Sequence, residues 1–520
     1  MVSSPGASST ARADVLGRIL TAADDPTSGA PPPPQQTADL TAWAGEAKAT
    51  SLPDLLQSAV RQTPALVNAR IDIAIADARI QQTWARSDWK LTAQLQGGHS
   101  EGVEPGSTVV STNDQFVGTA DLSRLLVTGG TVGIHIGTEW DRVGFPLASP
   151  VDPELSVNTH VSSWTHTVGL ALTQPLLRSR GSEIYDANEV KATLSRDAAV
   201  LERRQQAIVA VQNVVSAYWD LVLAERTVGI TQASLDLARE RLRVTTIGAD
   251  GGKVARSEIP AVLQIIATRE EDVLNGELGV LNAAIALRRA AGMPIGANDL
   301  GLRVATDLDI KEQAIDLGAL TERAYTASPQ LAELVKQDKS ATLDIAVTEN
   351  GLLPQLDAAL TLGPAGTSPR FGTAVKNLVE FDSLSVQGTL TFAQSLGRND
   401  VLGRARELHE QRRKLVVNAF DLRAMIAQTM ARSVAQVELA RRRVQLSQQA
   451  IDLANQNIKI ETDRFNLGRS TNFDVLNRLE DLRQAELRKT QALIDWHKGE
   501  AAVQALTGDL LPLYGITVDN

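Results

Sequence analysis

From Ser182 the sequence reads as one uninterrupted helix for some sixty residues, and a second stretch of the same kind follows from about residue 400. In the second, Leu408, Leu415 and Leu422, then Val437, Val444, Ile451, Ile458 and Phe465, recur at seven-residue intervals. In the first, Val190, Leu194, Ala198, Leu201, Ile208, Val211, Val215, Tyr218 and Val222 step by threes and fours. Both are coiled-coil patterns. At 1.5 Å per residue such helices reach about 95–100 Å, longer than a single globular domain encloses. Each is followed by a turn and a returning helix, at 257–291 and 473–506, which stop at Gly292 and Gly508 as helix C-termini often do.

The chain also repeats itself. Residues 52–98 align without gaps on 317–363, with Thr63-Pro64 on Ser328-Pro329 and Gly98 on Gly363. Each half runs through a short helix, a proline-started helix, strand material, a very long helix, a turn and a returning helix, so tandem duplication is the simplest reading. The expected organisation is a flexible Pro/Ala-rich segment at 1–50, a first repeat at 51–316 with its helical hairpin at 182–291, a second repeat at 317–508 with its hairpin at 400–506, and a tail at 509–520.

Six segments alternate with period two, at about 88–98, 115–126, 131–140, 162–174, 353–363 and 383–393. Their apolar faces nominate Leu91, Ile134, Ile136, Val168, Leu170, Leu172, Leu360 and Leu390 as lipid-facing. Such alternation marks a transmembrane barrel, but a soluble sandwich produces the same period. The fused long helices tip the balance to the barrel, because a sandwich supplies no partner for them. Six strands do not close a water-filled barrel, so several chains must share one. Thr128-Gly129-Gly130 reads as a tight turn, whereas 100–113, 141–160 and 363–382 read as long loops. Residues 116–140 belong either to the wall or to an extra hairpin outside it. Trp89, Trp140 and Trp164 near strand ends fit an interfacial girdle, or core packing in a soluble fold. No run comes close to the roughly 20 apolar residues of a membrane helix.

Other functions find little support. The 51 basic and 61 acidic residues give a net charge of -10 without a basic stripe, which disfavours nucleic-acid binding. Zero cysteines exclude disulfides, thiolate metal sites and a cysteine nucleophile. The six histidines, His99, His135, His160, His166, His409 and His497, contain no HExxH spacing, so neither a metal nor a cofactor is expected. GADGGK at 248–253 resembles a phosphate loop only in composition and follows a helix rather than a strand, so it reads as a hairpin tip. The start of the chain lacks the apolar core of a secretion signal.

The duplicated order, the LTQPLLRSRG junction at 172–181 and above all RFNLGRSTNFDVLNRLEDLRQAEL at 464–487 resemble the TolC-type outer-membrane efflux proteins, the outer-membrane factors of tripartite efflux and type I secretion systems. The resemblance covers nearly everything after residue 50. It implies an α+β membrane protein, not an enzyme: a homotrimer whose strands form one β-barrel in outer-membrane lipid, continuous with a coiled-coil α-helical barrel in the periplasm. It implies two partners, a periplasmic adaptor and an inner-membrane transporter of RND, ABC or MFS type, and the export of small molecules or polypeptides. It also places a closable entrance at the helical tips. Asp474 matches the first aspartate of that constriction, Asn477 stands where the second belongs, and Glu258 lies in the corresponding place of the first-half tip. Gly248, Phe465, Leu467, Gly468, Arg469 and Ser470 are the implied adaptor-contacting tip residues, with Ser470 in the place of the family's tip arginine. The rival reading is a soluble coiled-coil scaffold or interaction protein with a small β-domain.

Overall fold

The structure is a computed structural model that describes residues 50–103, 110–148, 156–252, 254–296, 300–304, 310 and 316–518. The lead-in before residue 50 and Lys253 of the glycine-rich tip lie outside the described residues. In the first half, α1 (Leu52–Gln62), α2 (Pro64–Trp84) and a 3-10 turn lead to β1 (Lys90–Val103), β2 (Val110–Leu125), β3 (Thr131–Ala148) and β4 (Ser156–Pro175), then α3 (Ser182–Asp250) and α4 (Glu258–Ala290). In the second, α5 (Leu317–Ala327) and α6 (Pro329–Asn350) lead to β5 (Gln355–Ser368), α7 (Phe371–Val379) and β6 (Ser383–Ala393), then α8 (Asn399–Asn466), α9 (Asn472–Thr507) and the short α10 (Leu510–Leu513).

The same local signals start the equivalent helices of both halves. The Ser51 hydroxyl accepts from the Asp54 N–H to cap α1, and Asp316 does the same for α5, accepting from Gly318 and Ala319 at 2.9 and 3.2 Å. Pro64 and Pro329 open α2 and α6, where no backbone donor is needed. At 69 and 68 residues, α3 and α8 each extend about 100 Å. The returning helices α4 and α9 pack along them for part of that length, and α2 and α6 continue the packing toward the sheet. Gly292 ends α4 at φ +68°, where a Cβ would come within 2.9 Å of Gln62 backbone. Gly508 ends α9 at φ +78° against Ala327. A left-handed stop without a side chain therefore lets each returning helix abut the helix pair of its own half.

All six strands form one antiparallel sheet in the order β1-β2-β3-β4-β5-β6. In this chain β2 and β3 are part of the sheet and no separate hairpin, lying between β1 and β4 in unbroken register. Several strands outrun their expected limits: β2 begins at Val110, β3 reaches Ala148, β4 begins at Ser156 and β5 reaches Ser368. Much of the presumed long loops is thus strand, and 363–382 contains α7. The reason lies in composition, because beyond the apolar belt the strands continue in Ser, Thr, Asn and Gly, where hydrophobic alternation fades but the backbone ladder does not.

The main core surrounds the middle of α3. Val211, Val214, Val215, Tyr218, Leu221 and Val222 pack with Leu55 and Leu56 of α1, Leu287 of α4, Ile494 of α9 and Leu510 of α10. One window of 18 residues in α3 reaches mean hydropathy 1.5, by length and composition enough to cross a membrane, contrary to the expectation that no run comes close. More than half of that window is buried inside the protein, so its apolar character is used in packing.

Candidate channel wall and helical tip

Residues directly opposite in an antiparallel ladder point to the same side of the sheet. Leu91 pairs with Leu122, Leu122 with Ile134, Ile134 with Leu170, Leu170 with Leu362, and Leu362 with Val386. Two residues along, Ile136 faces Val168. Toward the helices, Leu172 faces Leu360, and Leu390 faces Ala358. All eight sequence-nominated residues therefore share one face, forming an apolar band across every strand. Val168 is half-buried and the other seven are exposed. Trp140 and Trp164, 6.1 Å apart, border this band eight residues beyond Leu172, about 27 Å along the strand. Trp89 lies at the opposite border with Arg124 over its ring. Above the band α7 covers the same face: Phe371 meets Trp164 edge-on at 5.0 Å and His166 at 4.6 Å. A Cβ on Gly366 would lie 2.1 Å from the Ala374 carbonyl, so the helix rests directly on β5.

The other face is polar. Asp121 holds His135 at 2.7 Å and Glu139 accepts from Gln115 at 2.7 Å, with Thr92, Gln94, Thr165, Thr167, Gln387 and Thr389 on the same side. A strand passes from this wall into α3 through a fixed joint: Gly181 N–H donates to the Thr128 carbonyl at 3.1 Å, and Ser179 N–H donates to Asn350 Oδ1 at 2.7 Å. Arg86 secures the neighbouring helix end by bonding Asp186 and Glu189 while lying over the Tyr185 ring.

At the far end of the helices, α8 closes with an Arg469 N–H bond to the Arg464 carbonyl, after which Leu467, Gly468 and Arg469 are exposed. Asp474 and Thr471 form a capping box for α9: Asp474 Oδ2 accepts from Thr471 N–H at 3.1 Å and Thr471 Oγ1 at 2.7 Å, and also from Ser470 Oγ. These bonds, led by the Thr471 hydroxyl, hold the Asp474 carboxyl below the usual range. Asn477 is exposed one turn further on the same helix face. Glu258 opens α4, and Gly248 accepts from Val254 N–H at the other tip.

The residue that unites the two tips is one the sequence reading missed. Arg241 of α3 is buried, donates to Asn472 Oδ1 of α9 at 2.5 Å, lies 4.0 Å over the Phe465 ring of α8 and feels the charge of Glu258. Asn472 in turn donates to Thr245 at 2.7 Å. Burial pulls the Arg241 guanidinium down, opposed by Glu258. The available signal was register: Leu235, Ala238, Arg241 and Thr245 occupy one buried stripe, and a guanidinium in such a stripe needs specific partners. A second tie follows about two turns further along α9, where Arg269 of α4 bonds Glu480 of α9, which is also held by Arg483 and Gln484. Burial opposes the charged form of Glu480, but those bonds and the two arginine charges prevail and bring it down to about 2. Its stabilising contribution is therefore present above about 4.5 and is lost as pH falls toward 2. Among the described residues no group of three or more His, Asp or Glu is placed to hold a metal ion.

Together these parts make a sheet with an apolar face bordered by tryptophans, fused to paired helices of about 100 Å. The chain has the fold of the TolC-type outer-membrane channels. It superposes on the Campylobacter jejuni CmeC outer membrane channel with a TM-score of 0.62 at 13% identity, covering 88% of this chain and 86% of that one. For the Vibrio cholerae outer membrane protein VceC the values are 0.61, 14%, 88% and 96%, and for the open state of the Neisseria gonorrhoeae MtrE channel 0.60, 14%, 88% and 89%. Among characterised sequences, Nodulation protein T of Rhizobium leguminosarum bv. trifolii is 19% identical over 336 residues, 62% of this chain and 68% of that protein. No family model matches the chain. CmeC and MtrE are described as outer membrane channels.

Proposed function

We propose that the chain is the subunit of a trimeric outer-membrane export duct, its sheet in the membrane and its helices crossing the periplasm. The observation that carries this reading is the apolar band on one face of all six strands, backed by a polar face and joined without a linker to the long helices. Leu91, Ile134, Ile136, Val168, Leu170, Leu172, Leu360 and Leu390 contact lipid in this reading. The trimer is supported by α8. Its heptad stripe is covered by its own chain, while Leu439, Leu446, Leu453 and Ile460 form a second stripe, also at seven-residue spacing, exposed at 57–64%. A neighbouring copy covers it.

The tips form the entrance. Three copies of Asp474 near the axis repel one another and attract cations, so a small outward movement of α9 widens the opening. Asn477 halves that charge, and Glu258 sits at the matching tip of the first hairpin. The exposed turn of Leu467, Gly468 and Arg469, with Ser470 and Phe465 beside it in sequence and Gly248 at the first-half tip, is the contact for a periplasmic adaptor, which links the duct to an inner-membrane transporter of RND, ABC or MFS type. Energy comes from that transporter.

The test is extraction and conductance. The chain, directed to the outer membrane, should leave it only with detergent and give small, mostly closed channels in planar bilayers. Recovery in the soluble fraction, with no conductance, would identify the coiled-coil scaffold instead.

A further inference from the structure

The wall has a feature that the helical part does not explain. Four of its strands, β1, β4, β5 and β6, run directly into helices, whereas β2 and β3 form a hairpin attached to none. This hairpin is fully integrated: it pairs with β1 on one side and β4 on the other, continues the apolar band through Leu122, Ile134 and Ile136, and docks its turn against the β4–α3 joint through Thr128 and Gln174. The sheet still ends in two open edges, β1 and β6. In lipid an unpaired edge leaves backbone N–H and C=O groups without partners, which only closure removes. The edges match. They run in opposite directions, so a β6 edge placed beside the β1 edge of another copy continues the antiparallel alternation. Both carry the apolar band at high exposure, with Leu91 and Leu95 at 70% and 76% and Leu390 and Phe392 at 67% and 63%.

The helices below repeat this match. Beneath β1, α2 exposes Val67, Ile71 and Ile75 on one stripe. Beneath β6, an apolar groove runs between α6 and α8, lined by Leu331, Leu334, Val335, Leu415, Val416 and Phe420. Val67 lies 17 residues from the sheet end of α2 and Val416 lies 17 residues from the sheet end of α8, so both sit about 25 Å below the wall.

We infer that a second copy of this chain seats its α2 stripe in the α6–α8 groove and its β1 edge on β6, and that three copies close an 18-stranded wall with β2–β3 inside it. The number of copies and their edge-to-edge closure rest on the trimeric duct proposed above; the strand count does not follow from that reading. Because barrel diameter grows roughly linearly with strand number, this wall is about one and a half times as wide as the 12 helix-connected strands alone would make. The membrane segment is then not the narrowest part of the duct.

The chain has no cysteine, so paired substitutions report without background. Thr92→Cys is combined in turn with Gln387→Cys, Thr389→Cys and Thr391→Cys on the polar face, and Val67→Cys with Val416→Cys on the helices. At least one strand pair and the helix pair should move most of the monomer into covalent dimers and trimers on a denaturing gel, with every single variant remaining monomeric. An electron-microscopic map of the uncrosslinked trimer should count 18 strands. An intact trimer that crosslinks at no pair, or whose wall has 12 strands with β2–β3 outside, overturns the inference while leaving the duct standing. A native mass showing no trimer overturns both.

Discussion

The two halves of the chain agree where helices are concerned and diverge elsewhere. Their long helices have 69 and 68 residues, their leading helices 11 and 11, and their proline-started helices 21 and 22. Yet the first half contributes four strands and the second two, and the turn between α3 and α4 is longer than the one between α8 and α9. In the proposed duct the helices must begin and end at common levels, so their lengths are coupled. A closed wall instead accepts additional hairpins, and a tip accepts additional residues, without disturbing that register. Burial differs too. The first long helix supplies most of the main core, whereas the second keeps an exposed heptad stripe.

This contrast is open to attack at several points. The strongest blow falls on the wall: Leu170→Asp places a charge in the apolar band at a cost of about 2–4 kcal/mol or somewhat less for Asp, and should abolish most trimer yield, whereas Thr167→Asp on the opposite face should assemble normally. Equal yields from the two variants would mean that the faces are wrongly assigned. Next is the tie between halves. Arg269→Ala leaves Glu480 with Arg483 and Gln484 only, and should lower unfolding stability by about 1–3 kcal/mol while increasing antibiotic leakage through the duct. Arg241→Ala should increase leakage in the same way, and unchanged leakage in both would confine them to stability.

The middle of the helical part offers a pH test. His497 of α9 stacks on Trp219 of α3 at 4.0 Å, and burial pushes it from 6.5 down to about 4. The unfolded chain then binds the proton more readily, so stability is full above pH 6.5 and falls as pH drops toward 4. Thermal melts of His497→Phe should lose that part of the pH dependence. The smallest effects belong to the second tip. Thr471→Ala should cost about 1 kcal/mol as a lost cap. Asp474→Ala should raise single-channel conductance if its charge narrows the entrance, and unchanged conductance would leave it as a capping residue.

Much of this arrangement was legible in the sequence because it depends on local periodicity. Seven-residue spacing marked Leu408 through Phe465, and all of these side chains are buried or half-buried. Period two placed Leu91, Ile134, Leu170 and Leu360 on one face, as the ladder has them. What remained hidden was non-local or lacked hydrophobic contrast. Arg241 and Asn472 are 231 residues apart, and nothing in either neighbourhood announces their pairing. The upper strands carry too few apolar residues to betray an alternation, and α7 is too short at nine residues to stand out from a loop. The end of the chain, read as a tail, places Leu510 and Leu511 in the main core because that core needs closing at the end of α9.

The most direct test of the account is electron microscopy of the particle extracted from outer membrane and placed in lipid nanodiscs. The account predicts a three-fold tube with a helical barrel about 100 Å long and a lipid belt centred on the level of Leu170 and Ile136. A particle without a central channel, or one with its lipid belt elsewhere, would contradict it.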